Sequence, residues 1–177
     1  TVDTFLPYAN KIILSGVPAN HGEMSRSGKG KVVTSRLDNS DTMHLQICEE
    51  IMKANPDRYS RVEVNVPTGF HQTLVIKGKT VAFTHGHMTG GAGNPEVKIE
   101  KWWKGQMYGW LPVGDAEILV TAHYHHLRMK QQGDRTWFQA PSIDKSIDFT
   151  ERTGLWSHPG VLTFTISNKG WDNYFPV

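Results

Sequence analysis

Ile118-Leu119-Val120-Thr121-Ala122-His123-Tyr124-His125-His126 carries an apolar run straight into three histidines. The apolar part reads as a strand, with the histidines at its end. On strand geometry successive side chains alternate, so His123 and His125 share a face and His126 looks the other way. Neutral imidazole is the commonest metal ligand among side chains. Two imidazoles on one face can grip one metal ion, or one each of a pair. A histidine-rich polar loop is the plainer alternative. The choice turns on whether the rest of the chain brings further ligands.

The chain has 177 residues, enough for one domain or a large part of one. With 38% hydrophobic and 20% charged residues it is neither a disordered chain nor a membrane protein. No apolar run nears the ~20 residues a bilayer crossing needs, so no membrane partner is expected. Residues Thr1 to Phe5 lack the basic and apolar regions of a signal peptide, and the expected location is cytoplasmic. The single cysteine, Cys48, excludes an internal disulfide framework and reads as a small core residue. A net charge of +2 neither requires nor excludes nucleic acid.

Ile12-Ile13-Leu14 reads as a buried strand running into the loop Val17 to Glu23. Ser25 to Asn39 is rich in Ser, Gly, Lys and Arg. It reads as an exposed basic loop, either simply solvated or a platform for a phosphate-bearing substrate. Asp41 is placed to cap a helix that Pro56 stops, with Met43, Ile47 and Ile51 among its core positions. Arg61 to Val66 alternates as a half-buried strand does. Thr73–Ile76 and Thr80–Phe83 around Lys77-Gly78-Lys79 read as a hairpin. The second of these strands runs into His85-Gly86-His87. Asn94-Pro95 opens a helix as cap and first-turn proline. Its neighbouring Trp102 and Trp103 cannot both face inward. Leu127–Gln131 with Thr136–Gln139 is another hairpin, and Gly160–Ser167 is taken as the final strand.

Three loops after apolar strands thus hold Asn20-His21, His85 with His87, and His123 with His125. These residues resemble the calcineurin-like metallophosphoesterase superfamily. Of its five motifs, the last three appear in order. Ala19-Asn20-His21-Gly22-Glu23 is similar to Gly-Asn-His-Asp/Glu, Phe83-Thr84-His85-Gly86-His87 to the strand-end His motif, and Ala122-His123-Tyr124-His125 to Gly-His-x-His. The departures are Ala19 and Ala122 in place of glycines, Gly22 intervening before Glu23, and no match to Asp-x-His or Gly-Asp-x-x-Asp.

The resemblance implies an α/β (α+β) fold. Residues 1–177 would be a single partial domain, the C-terminal half of a four-layer αββα sandwich with mixed β-sheets and flanking helices. It implies metal-dependent hydrolysis of phosphate esters, phosphodiesters foremost, by hydroxide activated between two divalent ions. Mn²⁺ is the first choice, with Fe, Zn²⁺ or Ni²⁺ as the others. Asn20, His85 and His123 would ligate one metal and His125 the other. His21 would be the catalytic residue, and Arg26, Lys29 and His87 would contact the substrate. Half of the cage would come from a missing N-terminal half, so the chain alone is expected to be weakly active or inactive. Nucleic acid or a nucleotide is a candidate substrate, and the missing half or a second copy a candidate partner. The alternative is a non-catalytic half-domain binding a single metal or a partner chain. A mononuclear zinc hydrolase built on His85, His123 and His125 leaves Asn20-His21 without a role.

Overall fold

The apolar run Ile12-Ile13-Leu14 does form a strand, but not the buried one expected, since Ile13 is 39% exposed and its neighbours are only half-buried. The alternating stretch after Arg61 forms another strand. The computed structural model describes residues 2–24, 38–90, 94–145, 147–154 and 156–176. The chain forms two compact units, Thr1–Phe70 and His71–Val177. The first holds α1 (Val2–Phe5), β1 (Ile12–Ser15), α2 (Ser40–Ala54), α3 (Pro56–Tyr59) and β2 (Val62–Asn65). Strands β1 and β2 pair in parallel, Ile12 opposite Val62 and Ser15 opposite Asn65. Parallel neighbours need a long crossover, and the segment carrying α2 and α3 is that crossover.

Two expectations for α2 change. The cap is Asn39, whose side chain accepts from the Asp41 N–H at 2.9 Å. Asp41 lies in the first turn, and its carboxylate points at another loop. The stripe Met43, Ile47, Ile51 is not core: these side chains are 38%, 43% and 52% exposed. The inward face carries buried Thr42 with half-buried Leu45, Cys48 and Met52. Leu45 rests against Gly16 at the end of β1.

The second unit holds β3 (His71–Ile76), β4 (Lys79–Thr84), α4 (Pro95–Tyr108), β5 (Ile118–Thr121), β6 (Arg128–Gln132), β7 (Arg135–Gln139), α5 (Ile147–Thr153), β8 (Leu162–Ser167) and β9 (Gly170–Pro176). Five strands make one mixed sheet in the order β3-β4-β5-β7-β6. The β3–β4 hairpin turns through Lys77 and Gly78, both at positive φ (52° and 79°), the pairing that two-residue hairpins favour. Asn94 caps α4, accepting from the Val97 N–H at 3.0 Å.

The central strands are apolar on both faces because both faces are covered. Ala82, Leu119 and Trp137 pack with Ile99 of α4 and with Val113 and Ala116. Val81, Ile118 and Phe138 face the other way and meet Leu162, Phe164, Ile166, Trp171 and Tyr174 of the β8–β9 hairpin. Burying each large apolar side chain contributes roughly 1.5–3 kcal/mol. Trp102 and Trp103 both pack against the first cluster, each half-buried, so the inward-facing helix surface is wide enough for the pair. Trp103 also donates from Nε1 to the Val113 carbonyl at 2.9 Å. The architecture is mixed α/β, with a mixed sheet and flanking helices. No described helix is long and apolar enough to cross a membrane.

Candidate metal centre

Strands β4 and β5 are parallel neighbours, with Thr84 opposite Thr121. Their C-terminal ends therefore deliver His85-Gly86-His87 and His123-Tyr124-His125 to the same rim of the sheet. That is where open α/β sheets carry their binding loops. The Ala122 N–H donates to the His85 carbonyl at 3.1 Å, tying the two loops together one residue past the ladder.

The side chains converge as well. His123 Nδ1 lies 3.3 Å from His85 Nε2, with ring centroids 5.0 Å apart. The His87 ring stands 5.2 Å from that of His85 and 6.1 Å from that of His123. Tyr124 packs its ring edge-on to His123 at 4.8 Å. Its hydroxyl lies 3.4 Å from Thr89 Oγ1, which donates to the Gly86 carbonyl at 2.8 Å. All three imidazoles are half-buried.

The strand-alternation reading of this stretch does not hold. Strand β5 ends at Thr121, and His123 and His125 are left-handed, with φ of 65° and 58°. Residues after β5 therefore follow a turn, and their directions are set by that turn rather than by a pleat. Histidine is among the non-glycine residues enriched in this region, yet the conformation costs of order 1–3 kcal/mol per residue. Such strain persists only where the surroundings hold it, and it clusters at functional sites.

Gln139 is part of that hold, and the sequence reading passed over it. It ends β7 opposite Thr121, is fully buried, and donates from Nε2 to the His126 carbonyl at 2.6 Å. A long polar side chain directly after the apolar pair Trp137-Phe138, at the last residue of the strand, is the available signal. Trp137 adds a second tie, donating from Nε1 to Thr121 Oγ1 at 2.9 Å. Burial, with Arg128 and His125 adding to it, holds His126 below the ordinary histidine range and favours its neutral form.

The structure thus gathers His85, His87 and His123, and places His125 on the same turn as His123. Asn20 and His21 lie in the first compact unit, on the loop after β1. Arg26 and Lys29 lie outside the described residues. Among the described residues, no group of three or more His, Cys, Asp or Glu side chains is arranged to hold a metal ion. The fit to a cation is that of a pair. Two nitrogens each ~2.1 Å from one ion in tetrahedral directions stand roughly 3.3–3.4 Å apart; His85 and His123 have that spacing, which is also that of a hydrogen bond between two neutral imidazoles. The apolar cavity of about 240 Å³ beside α4, lined by Ile99, Trp103, Met107, Arg135 and Trp137 among others, includes none of these histidines.

No protein-family model matches the chain, and no curated protein matches it. Among solved structures, a single mutant of Vps29 from Entamoeba histolytica aligns with a TM-score of 0.45 at 12% identity, covering 94% of this chain and 98% of that one. Wild-type Vps29 complexed with Zn²⁺ from the same organism aligns at 0.41 and 15% identity, covering 90% and 87%. A conserved uncharacterized protein from Streptococcus pneumoniae, described as a predicted phosphoesterase, aligns at 0.38 and 12% identity, covering 86% and 79%. With TM-scores below 0.5, these likenesses establish neither family nor function for this chain.

Proposed function

We propose that this chain is part of a metal-dependent phosphoesterase of the calcineurin-like kind, acting on phosphate esters and foremost on phosphodiesters. The observation that supports this best is the 3.3 Å between His85 Nε2 and His123 Nδ1, at the ends of adjacent parallel strands. In this reading Asn20 joins the pair on one ion through its amide oxygen, and His125 serves a second ion. Imidazole with oxygen ligands suits Mn²⁺ first, then Fe, Zn²⁺ or Ni²⁺. Two such ions supply charge neutralisation at the phosphoryl oxygens and a nucleophile at neutral pH. The chain's own residues bind and orient. His21 is exposed on its loop and offers a donor to charge that develops on the phosphate. Arg26, Lys29 and His87 are the proposed phosphate contacts, and a nucleotide or nucleic acid is the proposed substrate class. The acidic ligands that no stretch of this chain matches would come from a further segment or a partner chain.

Calorimetric titration with Mn²⁺ and an assay with bis(p-nitrophenyl) phosphate test the proposal. The 177-residue chain should bind Mn²⁺ yet turn over weakly or not at all. His85→Ala and His123→Ala should each weaken binding by at least about tenfold, since even indirect partners of a metal are worth 10–100-fold. In the form completed by the acidic ligands, His21→Ala should lower turnover about 10²–10³-fold while keeping Mn²⁺. Failure of the wild-type chain to bind Mn²⁺ or Zn²⁺ sinks the proposal.

One observation favours a second reading, a non-catalytic chain that binds one metal or a partner. The Met43, Ile47, Ile51 stripe presents an apolar face of α2 to solvent. Metal uptake without turnover, even with the acidic ligands supplied, would favour that reading.

A further inference from the structure

The loop Ala19-Asn20-His21-Gly22 is held in a way that the motif does not announce. Both backbone polar groups of Ala19 are gripped by side chains at the start of α2. The Ala19 N–H donates to Asp41 Oδ2 at 3.0 Å. The Ala19 carbonyl accepts from Asn39 Nδ2 at 2.9 Å and from the Gly22 N–H at 3.2 Å. The Gly22 carbonyl accepts in turn from the Ser40 N–H at 2.7 Å, and the Met24 N–H donates to the Asp38 carbonyl at 3.1 Å. Asn39 is 3% exposed, so its bonds face little competition from water.

Gly22 is what lets the two segments approach. A Cβ at that position would overlap both Asn39 Oδ1 and Asp41 Oδ2, the oxygens that cap the helix and grip Ala19. The glycine that interrupts the family motif is therefore the residue the clamp requires. An acidic residue in the first turn of a helix is ordinarily accounted for by the helix dipole. Here its carboxylate is spent on a specific backbone N–H twenty-two positions away.

We propose that Asp41 and Asn39 are positioning residues for Asn20 and His21, clamping the peptide groups on either side of Ala19 so that both side chains leave the loop in fixed directions. The use made of Asn20 and His21 rests on the phosphoesterase reading; the clamp itself does not. A ligand amide displaced by ~1 Å is a poorer ligand, so the clamp acts on metal affinity and turnover rather than on substrate capture.

The test compares Asp41→Ala with Asp41→Asn, which keeps an oxygen acceptor, and with Gly22→Ala, which wedges the loop away. Amide hydrogen exchange is read at Ala19 to Gly22 and along α2, and Mn²⁺ affinity by calorimetry. For Asp41→Ala, exchange at Ala19 should speed at least about tenfold and Mn²⁺ affinity fall about tenfold, with protection in the middle of α2 kept. Asp41→Asn should stay within about threefold of wild type on both. Where Gly22→Ala fails to fold, the Asp41 pair decides alone. Wild-type exchange at Ala19 in Asp41→Ala, or equal damage in the Ala and Asn variants, would overturn the clamp. A wild-type protein that takes up neither Mn²⁺ nor Zn²⁺ would instead fail the phosphoesterase reading, and exchange at Ala19 would still decide the clamp.

Discussion

His123 and His125 hold a conformation that side chains with a Cβ pay to adopt, and they hold it two residues apart. The penalty for an L-residue in the left-handed region is about 1–2 kcal/mol, and glycine escapes it. His125→Gly should therefore be more stable than His125→Ala by roughly that amount in denaturant titrations, although both remove the imidazole. Equal stabilities would mean that the turn relaxes once the ring is gone. The same strain explains what strand reasoning misread. Alternation holds only while the pleat lasts, and nothing in Ala122-His123 marks the end of β5 at Thr121. A different residue shows the opposite economy. Thr42 is 1% exposed and its hydroxyl has no hydrogen-bond partner among the described residues. An unsatisfied buried polar group costs about 1–3 kcal/mol. Thr42→Val keeps the shape and drops the hydroxyl, and should raise the unfolding free energy by about 1 kcal/mol. A loss of that size would show that the hydroxyl is used.

Helix α4 and edge strand β6 are joined by charge. Lys130 Nζ meets Glu96 at 2.7 Å and Glu100 at 2.9 Å, and Lys104 meets Glu100 at 2.6 Å. The hydrogen bonds from Lys104 and then Lys130 pull the Glu100 carboxyl down from 4.5 to about 2. A carboxylate held lower in the folded state than in the unfolded chain stabilises fully above its unfolded value. That contribution is lost as pH falls through the folded one. The Glu100 contribution is therefore complete above about pH 4.5 and should fade toward pH 2. Glu100→Gln should cost about 0.5–1 kcal/mol near pH 7 and shrink to nothing in acid, with high salt flattening the difference. A pH-independent difference would assign the loss to packing. Elements of this kind were legible where local chemistry was unambiguous. Lys77-Gly78-Lys79 named the β3–β4 turn, although Lys79 is already the first residue of β4, and Asn94-Pro95 named the start of α4. Legibility failed where two residues competed for one task, as Asn39 and Asp41 did for the cap of α2. It failed also for β9, whose Asp172 and Pro176 are poor strand formers that pair with β8 across an irregularity at the left-handed Asn173.

Across the second unit, one side chain joins the layers that position the histidines. Phe138 is fully buried in β7, between β5 and β6. Its ring stacks on Phe164 at 4.9 Å and on Tyr174 at 5.3 Å, and meets Trp171 edge-on at 5.0 Å. This aromatic group fastens the β8–β9 hairpin to the sheet, and the next residue, Gln139, reaches the His126 carbonyl. That dependence could not be read from the sequence, because it joins residues up to thirty-six positions apart through a strand the reading did not include. Removing a buried aromatic to alanine typically costs about 3–5 kcal/mol, a large part of the 5–15 kcal/mol that holds a domain together. Phe138→Ala should show that loss in guanidinium unfolding and change the near-ultraviolet circular dichroism of Trp171. Phe138→Leu, which keeps most of the volume, should lose less. Loosening β7 also loosens Gln139, so Phe138→Leu should speed amide exchange at His125 and His126 before it speeds exchange in β4. A cost below about 1 kcal/mol for Phe138→Ala would mean that the hairpin does not pack on the sheet as described. Exchange that quickens equally in β4 and at His126 would mean that the sheet opens as one body and that Gln139 has no separate hold on the histidine turn.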